Sequence, residues 1–460
     1  MFSTIKNIHF VGIGGIGMSG IAEILINQGF AVSGSDLNDN ENTQYLSKLG
    51  AKILLGHKAE NIEGAEAVVY SSAVKVNENP ETLRAKELGI PVIRRAEMLA
   101  EVTRLNYCIA VSGTHGKTTT TSMIGLILIK AGFDPTVIVG GRLKDFGGTN
   151  ARLGKGEWTI VEADEYDRSF LQLLPTIAVI NNIEAEHLDI YKDIDDLLQT
   201  FSQFASKVPF YGFVALGTDD KGVKEVVPSL NKKFYTYGLS RNNDFTAQNI
   251  VNNSIYNSFD LYENGNLVAK INLCVPGLHN IKNALASITV ARKLGIDYEI
   301  ISSALSEFTG VYRRFDIKGE VKGIMVVDDY AHHPTEISST LEAARKGWDR
   351  RIIAVFQPHT YTRTQSFYKD FAKSFDNADI VIITDIYPAR EKPIEGVTGE
   401  MIANQAKNYG HKNVLYVPSI DDLPDVLMNL LKPNDLLITI GAGSIYRIAN
   451  QIFSLLSNKD

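Results

Sequence analysis

Cys108-Ile-Ala-Val-Ser-Gly-Thr-His-Gly-Lys-Thr-Thr-Thr120 is an apolar run, a glycine-bearing turn and the start of a helical stretch reaching about Ala131. A short apolar run ending in such a turn reads as a buried parallel strand, because helices cover a strand of that kind on both faces. Gly113 and Gly116 let the backbone turn tightly and aim N–H groups at an anion. Lys117 stands where an amine reaches β- and γ-phosphate oxygens, and Thr118 offers Mg²⁺ a hydroxyl. Val111 holds the place of the first glycine in G-x-x-x-x-G-K-[ST], so the turn is a shortened P-loop. A bare helix cap explains it less well, since a cap needs no lysine behind two glycines.

Two more apolar strands open in the same way. Ile8–Val11 runs into Gly12-Ile-Gly14-Gly15-Ile-Gly17 and a helix, and Asp36 follows Gly17 by 19 residues at the end of the next strand. That is the diphosphate-nucleotide pattern, with the acid placed for a ribose hydroxyl. It does not choose between NAD and another nucleotide, and a tight turn without ligand is its alternative. Ile324–Val327 runs into Asp328-Asp329-Tyr330-Ala-His332-His333-Pro334. Further strand-like runs lie at Ala31–Ser33, Val68–Tyr70, Trp158–Val161, Ile177–Ile180, Ile352–Phe356, Ile380–Ile383 and Leu436–Ile440. Strands alternating with helical stretches predict an α/β fold of parallel sheets. The expected domains are 1–105, Rossmann-like; 106–315, a P-loop ATPase domain; and 316–460. Between Phe245 and Val275 the pattern alternates and turns at Asn264-Gly265-Asn266, which predicts an antiparallel hairpin on the middle domain.

Composition narrows the functional class. The 460 residues hold 46 basic and 53 acidic side chains, a net charge of −7 that draws neither nucleic acid nor anionic lipid. Two cysteines, Cys108 and Cys274, exclude a disulfide scaffold and a multi-cysteine zinc site. No apolar run approaches the roughly 20 residues of a membrane span, and no signal peptide opens the chain. A cytoplasmic enzyme without membrane insertion is expected.

Four other segments carry chemistry. Glu162-Ala-Asp164-Glu165-Tyr166-Asp167 ends a strand, where a P-loop enzyme holds its metal; Glu162 is nearest the strand, while the other three acids read equally well as a solvated turn. Asn181-Asn182-Ile-Glu184-Ala-Glu186-His187-Leu-Asp189 ends another, with His187 a candidate second metal ligand. In Pro276-Gly277-Leu278-His279-Asn280-Ile-Lys-Asn283, the two amides share a helix face and suit a purine edge; Asn280 alone reads as an N-cap. The last third supplies Arg313-Arg314, His332, His333, Gln357-Pro-His359-Thr-Tyr361-Thr-Arg363 and Tyr387-Pro-Ala-Arg390-Glu391. Arginines at a sheet edge suit carboxylate or phosphate, and Pro334-Thr-Glu336 reads as a helix start, so one histidine is capping context.

With Gly12–Met18, Gly113–Thr120 and Asp328–Pro334 in this order, the whole chain resembles the Mur ligases of peptidoglycan synthesis. The resemblance implies three domains: one for a UDP-sugar, a central ATPase and a Rossmann-like third that helps to bind an amino acid. It implies that Gly14, Gly15, Ile16, Gly17 and Met18 face the UDP diphosphate, with Asp36 near the uridine and Ser71 lining the same site. Gly113, Thr114, His115, Gly116, Lys117, Thr118 and Thr119 would hold ATP, with Thr118, Glu162 and His187 on Mg²⁺. His279, Asn280 and Asn283 would meet adenine, and Arg314 and Asp329 the phosphate tail and ribose. Tyr330, His332 and Arg363 would position the amino acid and the sugar carboxylate. Lys117, His332 and Arg363 are the catalytic candidates. Leu278, Glu186 and Thr360 depart from the family pattern, where arginine, aspartate and a second arginine are common.

The implied substrates are ATP, UDP-N-acetylmuramate and L-alanine, which GIGGIGM favours over a preformed peptide, in a monomer or homodimer. The implied reaction activates the lactyl carboxylate as an acyl phosphate and couples it to the amine. A NAD-dependent dehydrogenase would leave the Gly113–Thr120 turn unexplained, and a regulatory ATPase would hydrolyse ATP without a UDP-sugar.

Overall fold

The computed structural model describes residues 5–104, 106–142, 144, 148–185 and 190–458. Three sheets form. The first has strands β1 (Asn7–Val11), β2 (Ala31–Asp36), β3 (Lys52–Leu55), β4 (Ala67–Tyr70) and β5 (Val92–Arg94), with helices α1 (Ile16–Asn27), α2 (Glu41–Lys48), α3 (Pro80–Glu87) and α4 (Arg95–Thr103). Its order is β3-β2-β1-β4-β5, all parallel. The order reverses between β1 and β4, so the loops after them open the crevice where such sheets bind ligands.

The second sheet has ten strands: β6 (Tyr107–Ser112), β7 (Thr136–Ile138), β8 (Ala151–Arg152), β9 (Trp158–Glu162), β10 (Ile177–Ile180), β11 (Phe213–Gly217), β12 (Phe234–Gly238), β13 (Phe245–Asn253), β14 (Tyr256–Glu263) and β15 (Asn266–Leu273). Helices α5 (Lys117–Lys130), α6 (Ile194–Ser206), α7 (Lys221–Val226), α8 (Leu278–Lys293) and α9 (Tyr298–Glu307) accompany it. The order β15-β14-β13-β12-β11-β10-β6-β9-β7-β8 sets β6 between β10 and β9. Three strands form where one hairpin is expected, and Asn264 and Gly265 make the predicted turn with φ of 49° and 78°.

The third sheet has β16 (Asp316–Val321), β17 (Ile324–Asp329), β18 (Arg351–Phe356), β19 (Ile380–Ile383), β20 (Val414–Tyr416) and β21 (Asp435–Ile440) in the order β16-β17-β21-β18-β19-β20. Only β16 pairs antiparallel, with β17. Helices α10 (Pro334–Gly347), α11 (Tyr361–Lys373), α12 (Gly399–Asn408), α13 (Leu423–Leu430) and α14 (Tyr446–Ser457) flank it. Its strands β17, β18, β19 and β21 carry apolar runs because both of their faces are buried, whereas the edge strand β16 is polar: Ile352, Ala354 and Phe356 pack into one core, Ile353 and Val355 into the other.

The chain divides into two compact units. Met1–Gln248, Asp260–Ile271 and Lys282–Phe308 form one, holding the first sheet and most of the second. Asn249–Phe259, Asn272–Ile281 and Thr309–Asp460 form the other, holding the third sheet. Among the described residues no helix is long and apolar enough to cross a membrane.

Candidate active site

In the first unit, β1 ends in a turn that only glycine can make. Gly12 has φ +81°, and a Cβ on it would stand 3.0 Å from Ser71 Oγ, so Ser71 after β4 closes on the turn after β1. Gly14 admits no side chain either: its Cβ would meet Asn40 Nδ2 at 2.6 Å and Asp36 Oδ2 at 2.9 Å. Gly15 is the N-cap of α1 without a side-chain cap, which leaves helix-end N–H groups to attract an anion. The structure gathers Gly14, Gly15, Ile16, Gly17, Asp36 and Ser71 at this crevice.

Two expected contributions differ. Asp36 Oδ2 accepts from Gly14 N at 2.9 Å, so the carboxylate shapes the turn as well as ending β2. Met18 is 1% exposed and its amide donates to Gly15 O at 2.9 Å. It faces the core one turn into the helix, so it backs the loop instead of lining it.

The P-loop follows β6 in the same unit. Gly113 and Gly116 have φ +125° and +81°. A Cβ on Gly113 would stand 3.0 Å from the backbone of Asn182, and one on Gly116 would run into Asn283 Oδ1. Gly116 caps α5, whose first turn is Lys117, Thr118 and Thr119. Lys117 Nζ donates to Gly113 O at 2.7 Å and to both oxygens of Glu165 at 3.0 and 2.8 Å. Burial pushes Glu165 up to about 7 against the pull of Lys117. His115 sits 3.5 Å from the Glu184 carboxylate. The loop is pinned from β10: His115 N donates to Asn182 Oδ1 at 2.8 Å, and Asn181 Nδ2 to Thr120 Oγ1 at 3.1 Å.

Glu162 ends β9 beside β6, in register with Val111. Its Oε1 accepts from Gly140 N at 2.7 Å, the Thr118 side chain lies beside it, and desolvation raises its pKa from the ordinary carboxylate value. A carboxylate and a hydroxyl form a hard oxygen pair, and a buried carboxylate gains from a cation, so these residues fit Mg²⁺. His187 lies outside the described residues.

Asn283 bears on the P-loop itself: its Oδ1 accepts from Thr120 Oγ1 at 3.3 Å. Its expected partner was adenine, and its observed neighbours are Gly116 and Thr120. In the second unit, Asn280 Nδ2 donates to Pro276 O at 2.7 Å and so holds the turn entering α8 beside the half-exposed His279.

The second unit collects the remaining candidates at the ends of β17 and β18. Asp329 is 5% exposed; it accepts from Ala331 N at 2.7 Å and Phe315 N at 2.8 Å, and burial lifts it to about 6. Both oxygens are therefore engaged in fixing the loops that carry Arg314 and Tyr330, where a ribose contact is expected. The Arg314 guanidinium lies 5.2 Å over the Tyr330 ring and 3.5 Å from Glu336. His332 Nδ1 lies 3.1 Å from Tyr330 O and 3.3 Å from Glu336 Oε2. His333 is the capping histidine, accepting from Thr335 N at 3.4 Å.

Arg363, in the first turn of α11, approaches His359 at 3.5 Å, and His359 and His332 rings are 6.1 Å apart. Burial, with Arg363 beside it, lowers His359 to about 4, so it is a neutral imidazole. Glu391 holds the start of α11, accepting from Tyr361 N at 2.6 Å and Thr362 N at 2.9 Å.

Glu165, Asn181 and Asn182 lie in segments that the sequence marks as carrying chemistry but receive no role of their own there, and Glu336 reads only as part of a helix start. Glu165 is one of three acids that look alike along the chain; only burial separates it, at 2% exposed, from the exposed Asp167. Glu336 reads as an ordinary first-turn helix acid.

Three family models match in order: "Mur ligase family, catalytic domain" over residues 7–107, "Mur ligase middle domain" over 111–291 and "Mur ligase, glutamate ligase domain" over 313–443. The chain is 52% identical over 456 residues to the UDP-N-acetylmuramate–L-alanine ligase of Geotalea uraniireducens, covering 99% of both chains. Its fold is similar to the crystal structure of the UDP-N-acetylmuramate-alanine ligase of Thermotoga maritima, with a TM-score of 0.86 and 30% identity over 99% of this chain and 100% of that one. The murein peptide ligase of Psychrobacter arcticus gives 0.74 and 26%, covering 99% of each. Three α/β domains, two glycine turns that open helices, and full-length identity near one half thus lead to one assignment: the chain belongs to the Mur ligase family.

Proposed function

We propose that the chain is an ATP-dependent ligase that joins L-alanine to the lactyl carboxylate of UDP-N-acetylmuramate in peptidoglycan synthesis, releasing ADP and phosphate. The observation that carries it is the pair of anion-binding glycine turns in one unit, Gly12–Gly17 and Gly113–Gly116, with Lys117 behind the second. One turn suits the diphosphate of the UDP-sugar and the other the phosphates of ATP. The names of the relatives support L-alanine as acceptor.

A carboxylate is a poor acyl donor because its leaving group would be oxide. Transfer of the γ-phosphoryl group to the lactyl carboxylate gives an acyl phosphate, and attack by the alanine amine expels phosphate. The first step brings two anions together. Lys117 screens that repulsion once phosphate oxygens draw Nζ from Glu165, and Arg314 adds charge from the third domain. Mg²⁺, held by Thr118 and Glu162, would supply further charge neutralisation at the phosphates. His187 remains assigned to that metal by resemblance alone. In the third domain, Glu336 orients His332 and Arg314, and the Arg363 guanidinium suits recognition of a carboxylate. Tyr330 and His332 belong with the amino acid, and His332 is suited to take a proton from its ammonium.

The domain boundaries that go with this reading are 105/106 and 315/316. Cys108 and Cys274, in no disulfide among the described residues, and the use of ATP suit the cytoplasm, and the assembly is a monomer or homodimer.

The test is Lys117→Ala. Turnover falls by at least about a thousandfold, as for loss of a main phosphate-stabilising charge, while UDP-N-acetylmuramate binding measured by titration calorimetry stays within a factor of two or three. Turnover like the wild type would overturn the ATP-site assignment.

A further inference from the structure

The edge of the first sheet that carries Asp36 also carries a buried acid with no task in the ligation chemistry. Glu81 lies in the first turn of α3 and is fully buried. Its Oε2 accepts from the Ser35 hydroxyl at 2.6 Å and stands 3.7 Å from His9 Nε2, and its Oε1 accepts from Asn61 Nδ2. Burial works against the charge, yet His9, Ser35 and Asn61 beside it hold Glu81 below the usual carboxylate range. The group is therefore an anion that can only accept.

His57 completes the cluster. It follows β3 at the strand end next to Asp36, where Gly56 N donates to Asp36 O at 2.8 Å. Its Nδ1 lies 2.9 Å from Ser35 Oγ and 3.4 Å from Glu81 Oε2. The hydroxyl proton of Ser35 is spent on Glu81, so Ser35 Oγ accepts here and the ring proton sits on Nδ1. In the neutral ring that leaves Nε2 with its lone pair. Among the described residues, His9 Nε2 is sealed without a partner, whereas His57 Nε2 is unpartnered and open to solvent, in a side chain 17% exposed. Ser35 also ties the cluster to the first glycine turn, since its carbonyl accepts from Gly12 N at 2.8 Å and Ile13 N at 3.0 Å. A free acceptor thus stands at the carboxyl ends of β2 and β3, the edge where such sheets take their ligands.

The donors of a uridine are its base N3–H and its ribose hydroxyls, and the hydroxyls belong with the acid that ends β2. We propose that His57 Nε2 accepts the N3–H of the uracil base, and that Glu81, acting through Ser35, is the positioning residue that holds the ring in that tautomer and orientation. The assignment rests on the reading of the Gly12–Gly17 turn as the UDP-sugar site. It makes His57 a determinant of base specificity, because cytosine presents a lone pair at N3 and would face the lone pair of Nε2.

The test titrates UDP, CDP and 2′-deoxy-UDP calorimetrically into the full-length protein in slightly alkaline buffer. The wild type prefers UDP to CDP by about tenfold or more. His57→Phe keeps an aromatic ring without the acceptor, weakens UDP by about tenfold and cuts the preference to under about threefold. The penalty for 2′-deoxy-UDP is the same in this variant as in the wild type. Glu81→Leu and Ser35→Ala leave the imidazole present but unheld, and each cuts the preference by about threefold or more with ATP affinity unchanged. Thermal melting checks both, and Ser35→Ala, which keeps the buried acid, decides the matter if Glu81→Leu does not fold. A UDP preference unchanged in His57→Phe, one unchanged in the folded relay variants, or loss of the 2′-deoxy penalty in His57→Phe would overturn this assignment alone. Absence of UDP binding to the wild type would overturn the reading of the glycine turn and this assignment with it.

Discussion

Gly116→Ala tests how tightly the P-loop is built. At φ +81° a residue with a Cβ pays about 1–2 kcal/mol in the left-handed region. The new methyl would also run into Asn283 Oδ1 and stand 3.1 Å from Asn181 Nδ2. Asn283 has to swing away, which breaks its 3.3 Å bond from Thr120 Oγ1, worth about 1 kcal/mol. The sum is about 2–3 kcal/mol. In a domain of this size each kcal/mol moves the melting temperature by about 2–4 °C, so calorimetry should show a fall of about 5–10 °C. ATP binding should weaken by about tenfold or more, the factor that corresponds to ~1.4 kcal/mol of loop distortion. Asn283→Ala alone should cost about 1 kcal/mol. Because Gly116→Ala already sacrifices the Asn283 bond, the double variant should cost no more than Gly116→Ala, a coupling of about 1 kcal/mol. A Gly116→Ala protein that melts and binds ATP like the wild type would refute the reasoning. So would strictly additive costs.

Three other perturbations report on separate parts of the molecule. Glu23 has a folded-state pKa of about 7 against 4.5 for the free group, so the folded state holds its proton more tightly; the stability this provides is full below pH 4.5 and is lost as pH rises through 7. Glu23→Gln should therefore raise stability at pH 8 by up to about 3 kcal/mol and leave it little changed at pH 4.5, measured by urea denaturation; equal shifts at both pH values would contradict this. Asp435, 2% exposed on the side chain, takes a two-pronged contact from Arg351 Nε and Nη2 at 2.8 and 2.6 Å that ties β21 to β18. Asp435→Ala should lower third-domain stability by about 2–3 kcal/mol, read from its unfolding midpoint, and a shift under about 0.5 kcal/mol would show the pair to be idle. Glu391→Ala removes the acceptor for Tyr361 N and Thr362 N, worth about 1 kcal/mol. Because that cap places Arg363, the KM for L-alanine should rise about fivefold with ATP affinity unchanged, and an effect on ATP alone would sink the assignment.

The strands that matter most were legible because both of their faces are buried. Cys108–Val111, Ile324–Val327 and Ile352–Phe356 are continuous apolar runs, and each lies within a strand of the structure. Short strands such as Val92–Arg94 and Ala151–Arg152 carry too few residues for a periodic signal. The site was legible where chemistry is written in one segment: glycines before Lys117, or Glu162 at the end of a strand. It was not legible where parallel strands bring distant residues together. Asn182 reaches His115 across 67 residues, and Lys117 reaches Glu165 across 48. No local pattern separates Glu165 from Asp164 and Asp167, because burial is decided by tertiary packing. Met18 shows the converse: a motif neighbour whose side chain helical geometry turns into the core.

The most direct measurement is phosphate release by the purified protein with ATP, Mg²⁺ and UDP-N-acetylmuramate, supplied with L-alanine, glycine, serine, a tripeptide or no acceptor, and with the product mass determined. The account predicts release that needs both the UDP-sugar and L-alanine, with one phosphate per product and a product heavier by one alanine residue. Activity only with the tripeptide would move the chain to the peptide-ligase branch, and phosphate release without any acceptor would contradict the account.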